Sequence, residues 1–100
     1  MKKVFDGKLY DTETATKLCA DSWEEGNFRF TSEALYRTKN GRYFLAGESG
    51  PMGRYAHTEN GSTSGGRGLV PLDEGDAREW MEEHGDAVDF EEAFGDVEEA

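Results

Sequence analysis

Two runs in the middle of the chain, Ala34-Leu35-Tyr36-Arg37-Thr38 and Tyr43-Phe44-Leu45-Ala46, alternate in character and are rich in aromatic residues, with Lys39-Asn40-Gly41-Arg42 between them. A period of two sends successive side chains to opposite faces of a sheet, and Asn-Gly is a favoured pair at the reversal of a hairpin, so the spacing predicts a β-hairpin here. Val4, Phe5, Leu9 and Tyr10 flank Asp6-Gly7 in the same manner. Both residues of an Asp-Gly pair tolerate positive φ, which predicts another hairpin at the N-terminal end. Thr12, Thr14 and Thr16 alternate and favour a strand within 12–23, although Ala15, Leu18, Cys19 and Ser22 would also share one face of a helix. Strand is the reading adopted.

Beyond residue 70 the period changes. Ala77, Trp80, Met81 and His84 fall at i, i+3, i+4 and i+7, with Asp73 ahead of them as a capping acid and Gly85 behind them in the C′ position. This predicts a helix over 74–84, with His84 placed to complement the dipole at its C-terminal end. Asp86 and Asp89 form a capping-box-like pair before Phe90, Ala93, Phe94 and Val97, predicting a shorter helix that ends near Gly95. Residues 96–100 are expected to fray. Between hairpins and helices lie Gly47, Gly50, Gly53, Gly61, Gly65, Gly66 and Gly68, and the composition of Asn60 to Gly66 is that of a mobile loop, so 47–68 is expected to be a Gly-rich loop region. Together these elements predict one small α+β domain over 1–100, an antiparallel sheet with two C-terminal acidic helices packed on one side.

Charge alters this picture. The chain carries 22 Asp and Glu against 11 Lys and Arg, a net charge of −11, which disfavours direct nucleic-acid binding by counterion release. The excess is local: residues 73–100 hold 13 acids and one base, Arg78, while residues 1–72 hold 9 acids and 10 bases. Cys19 is the single cysteine, so neither an internal disulfide nor a multi-thiolate zinc site is expected. No run reaches the roughly 18 apolar residues of a membrane span, and Met1 to Gly7 lacks the apolar core of a signal peptide. A cytoplasmic protein is expected, with no membrane partner.

Candidate chemistry is sparse. Gly47-Glu48-Ser49-Gly50-Pro51-Met52-Gly53 and Gly65-Gly66-Arg67-Gly68 lack the Lys-Ser/Thr pair of a phosphate-binding loop and read as turns. No local signature joins Cys19 to His57 or His84 as nucleophile and base, and Cys19 reads as a small core residue. Asp73-Glu74-Gly75-Asp76 departs from EF-hand spacing. Arg29, Arg37, Lys39 and Arg42 near Phe28, Phe30, Tyr36 and Tyr43 resemble a single-strand stacking platform, but in so acidic a chain they fit better as packed aromatics with solvated bases on the opposite face. An enzyme is not expected, nor is a cofactor or metal.

The acidic helices carry the positive case. With Trp80, Met81, Phe90 and Phe94 turned to the core, Glu74, Glu79, Glu82, Glu83, Asp86, Asp89, Glu91 and Glu92 are left mostly outward. At the helical rise of about 1.5 Å the segment places one carboxylate per ~3 Å of contour, close to the ~3.4 Å between phosphates on one DNA strand. Those eight residues are the candidate partner-binding site, and the partner expected is a basic DNA-binding protein surface. The alternative is a small structural or regulatory accessory protein whose acidity is only solubilising.

The segments Gly7-Lys8-Leu9-Tyr10-Asp11-Thr12-Glu13-Thr14-Ala15, Ala34-Leu35-Tyr36-Arg37 with Asn40-Gly41-Arg42-Tyr43-Phe44-Leu45, and Pro71-Leu72 with Asp76-Ala77-Arg78-Glu79-Trp80 are similar to a family of short proteins carried by bacterial mobile elements. That resemblance implies a phage or mobile-element context and a bacterial host cell. It implies an inhibitor of host defence resembling anti-CRISPR DNA mimics, with a CRISPR effector subunit as the partner.

Overall fold

The structure, a computed structural model, describes residues 1–95 and 97–100. Position 96 of the expected fraying tail lies outside the described residues, and 97–100 have no regular secondary structure. Among the described residues eight strands precede two helices. Strands β1 (Lys2–Phe5) and β2 (Lys8–Asp11) form the first hairpin, its turn made by Asp6 and Gly7 with φ of 50° and 73°. The chain then reverses sharply, because the Asp11 side chain accepts from the Glu13 amide at 2.9 Å and its carbonyl from the Ala15 amide at 3.0 Å. Thr12 to Ala15 are therefore a turn. The strand expected within 12–23 begins only at Thr16.

β3 (Thr16–Trp23), β4 (Thr31–Arg37), β5 (Tyr43–Ser49) and β8 (Gly66–Leu72) form one antiparallel sheet in the order β3-β4-β5-β8. The central hairpin joins β4 to β5 in the register Arg37↔Tyr43. Its turn is wider than a two-residue reversal: only Gly41 has positive φ, and its amide closes onto the Thr38 carbonyl at 3.0 Å. Asn40 stays at negative φ.

Alternation sorts the side chains between two faces. Leu35, Tyr43 and Leu45 meet Ala77, Trp80, Met81 and Ala93 of the helices, with Phe90 and Phe94 packed at the margin. Phe44 and Leu69 point the other way and are covered by Tyr10 of the β1–β2 hairpin, whose ring meets Phe44 edge-on at 5.6 Å. The fold is thus three layers, hairpin, sheet and helix pair, with the helices on one side of the sheet.

The Gly-rich expectation for 47–68 is overturned in part. Gly47 belongs to β5 and Gly66 and Gly68 to β8, while β6 (His57–Glu59) and β7 (Ser62–Ser64) form a third hairpin around Asn60-Gly61, with φ of 50° and 80°. A Cβ on Gly47 would stand 2.5 Å from the Tyr55 ring, so glycine serves close packing at that position rather than mobility.

Helix α1 (Glu74–His84) starts at Asp73, whose carboxylate accepts from the Asp76 amide at 2.7 Å, and α2 (Ala87–Phe94) starts at Asp86, which accepts from the Asp89 amide at 2.8 Å. Gly85 closes α1 in an extended conformation, not the left-handed one expected of a C′ glycine. A Cβ there would collide with Met81 Sδ. α2 lies back along α1, so that the Arg78 guanidinium sits 4.9 Å from the Phe94 ring centre. The exposed C-terminal end of α2 has no base of its own. Arg37, reaching across from the end of β4, donates to the Ala93 carbonyl at 2.8 Å.

Candidate functional site

The helical spacing that buries Ala77, Trp80 and Met81 obliges the opposite half of α1 to face water. Glu74, Glu79, Glu82 and Glu83 occupy that half and are exposed, as are Asp86, Glu91 and Glu92 around α2. Asp89 departs from the expected outward position. It is half-buried, and its Oδ2 accepts from the Cys19 thiol at 3.6 Å, because β3 runs beneath this turn of α2. The acids do not follow one continuous helical contour either, since Gly85 and Asp86 break the segment into two short helices. They form a patch rather than a line. Arg78 is the base set among them, and it is engaged by Glu74 at 3.4 Å and by the Phe94 ring.

Beneath the patch lies a polar centre that sequence reasoning missed. Glu33, on the helix face of β4, has its side chain 3% exposed. Its Oε1 accepts from Trp80 Nε1 at 3.0 Å, and its Oε2 accepts from the Tyr55 hydroxyl at 2.5 Å and from Arg54 Nη1 at 3.2 Å. A buried carboxylate is costly unless its lone pairs are satisfied and its charge is matched. Here three donors, one of them a guanidinium, do both. Burial, then the bond to Glu33 and its charge, push the Tyr55 hydroxyl well above the usual tyrosine range. The signal for Glu33 was its phase: in β4 it sits two residues from Leu35 and must share that buried face.

Next to this centre, His84 Nδ1 lies 2.9 Å from Asp21 Oδ2. An ionised carboxylate can only accept, so Nδ1 carries the hydrogen. The imidazole stacks on Trp23 with ring centres 4.5 Å apart and leans on Trp80 at 4.7 Å. His84 was expected to complement the α1 terminus, but it turns sideways and ties that terminus to β3.

The polar and nucleophilic groups of this region each have a named partner. Both Glu33 oxygens are engaged by protein donors, and His84 is directed at Asp21. The Cys19 thiol, at the helix face of β3, is held neutral, its pKa raised by burial and then by Asp89, the opposite of what activates a nucleophile. His57 is exposed on β6 and stands 3.7 Å from Glu59. Among the described residues every buried side-chain nitrogen and oxygen has a hydrogen-bond partner, and no three His, Cys, Asp or Glu side chains are grouped to hold a metal ion. No described helix is long and apolar enough to cross a membrane. The basic-aromatic set of the sequence is also dispersed: Tyr43 is in the core, Arg37 caps α2, and Phe28 stands exposed on the loop after β3.

Neither a family model, nor a curated protein, nor a solved structure matches the chain.

Proposed function

We propose that this protein is a non-catalytic inhibitor that sets its acidic helical patch against a Lys/Arg-lined DNA-binding surface of a partner protein and occupies it in place of DNA. The observation that supports this reading is the exposure of seven carboxylates on α1 and α2, with the one base among them already engaged. Like charges held this close repel, and the sheet and its polar centre hold them in place regardless. The face therefore displays fixed negative charge without the ordering cost of a disordered acidic tail. A CRISPR effector complex is the specific target proposed, on the resemblance to mobile-element proteins described above. The partner is then a protein, not nucleic acid or membrane, and its encounter is electrostatically steered.

Displacement of labelled target DNA from a purified CRISPR effector complex tests this reading. Wild-type protein should displace the DNA at low salt, and raising the ionic strength to 0.5 M, where the Debye length is about 4 Å, should weaken the effect sharply. Glu79→Lys, Glu91→Lys and Glu92→Lys together alter exposed residues that hold no ion pair among the described residues. This variant should fold normally and lose inhibition. Failure of wild type to displace DNA refutes the CRISPR assignment, and full inhibition by the charge-reversed variant refutes the electrostatic mechanism.

A further inference from the structure

Where α1 gives way to α2, the outer surface is not uniformly acidic. Gly85, Ala87, Phe90 and Val97 line an open groove of about 350 Å³, closed at its base by Met81 and rimmed by Glu82 and Asp86. At its inner end Gly85 packs directly on Met81, where a Cβ would run into Met81 Sδ. Ala87 and Val97 leave their apolar surface open to water on its walls. The volume is near the lower end of the ~300–1,000 Å³ of small-ligand pockets, and it suits one aliphatic or aromatic side chain.

We propose that this groove receives an apolar side chain from a Lys/Arg-rich segment of the partner, so that the protein recognises a basic amphipathic segment rather than positive charge alone. The proposal rests on the acidic-face reading above and specifies the partner's chemistry. Charge decides among the possible occupants. A second copy of this chain meeting the groove with its own helical face would bring the same exposed carboxylates against Glu82 and Asp86 and would be repelled. An apolar residue with lysines or arginines on either side fills the groove and neutralises its rim at the same time. The two parts of such an interface act on different rates. Surface charge speeds association and is screened by salt, whereas a buried apolar anchor slows dissociation and is not.

Fluorescence anisotropy with two labelled peptides of equal length and equal charge tests the proposal, one of lysine and leucine spaced for an amphipathic helix, the other with every leucine replaced by serine. The leucine peptide should bind the full-length protein about tenfold or more tightly than the serine peptide, the gain expected from burying one leucine side chain. That preference should survive 0.5 M salt. Ala87→Trp fills the groove without changing charge and should abolish the preference while leaving salt-sensitive binding of both peptides. In the wild-type protein, methyl NMR signals of Met81 and Ala87 should shift with the leucine peptide and hardly with the serine peptide, a readout independent of how the variant folds. Equal affinity for the two peptides, or methyl shifts elsewhere than at the groove, overturns the proposal while the acidic-face reading stands. Binding of neither peptide at low salt overturns both.

Discussion

Tyr55 donates its hydroxyl hydrogen to Glu33 Oε2 at 2.5 Å, lying across β5 on the surface that Gly47 leaves bare. This contact joins the loop after β5 to the buried face of β4, and Trp80 brings α1 to the same carboxylate. Tyr55→Phe keeps the ring over Gly47 and removes one donor from a buried charge. The expected loss is about 1–3 kcal/mol of stability, read as a lower urea midpoint with an unchanged slope.

The same hydroxyl sets an alkaline limit. Its pKa is raised in the folded protein above the ordinary value of about 10 that it has when unfolded. At a pH below about 10 the group is protonated in both states and its contribution is fully present. Above that, the unfolded chain releases the proton more readily, and stability falls as the pH rises toward the folded value. Urea midpoints should therefore drop more steeply above pH 10 in wild type than in Tyr55→Phe, and parallel curves would show that Tyr55 is not the group responsible.

Trp80 combines a buried ring with a satisfied N–H. Trp80→Ala removes core volume and leaves Glu33 Oε1 without its donor, so a loss of about 3–5 kcal/mol is expected, a large share of the stability of a domain this small. Circular dichroism at 25 °C should show partial or complete unfolding.

The β6–β7 hairpin is exposed throughout and makes only its own short ladder. Limited proteolysis should cut first between residues 57 and 65, ahead of any other internal site. A first cut in the loop that follows β3 would show the hairpin to be the better protected of the two.

What sequence reasoning found and missed follows from the range of each interaction. Helix α1 was legible because its stripe and both caps lie between Asp73 and Gly85, and the Asp6-Gly7 reversal because it is wholly local. Asn60-Gly61 carries the same turn chemistry but is flanked by His57-Thr58-Glu59 and Ser62-Thr63-Ser64, which give no apolar alternation to mark strands. The glycines of 47–68 misled because composition does not distinguish a glycine that frees the backbone from one that admits a neighbouring ring. Glu33 was within reach, since its phase matches Leu35. Its partners were not: Tyr55 and Trp80 are 22 and 47 residues away in sequence. The exposed acids were assigned outward by periodicity alone, and only Asp89 escaped, through a contact with Cys19 at a separation of 70 residues.

Trp80 follows all four strands of the main sheet in the chain, which bears on folding during synthesis. A nascent chain that has emerged only as far as β8 already contains all four strands of the sheet, yet Leu35, Tyr43 and Leu45 would face water and Glu33 would lack the donor that α1 brings. Burying that carboxylate early is unfavourable, so the sheet gains little by closing before the helices arrive. Ribosome-bound chains truncated after Leu72 should remain protease-sensitive, and resistance should appear in one step once α1 has emerged to pack on the sheet.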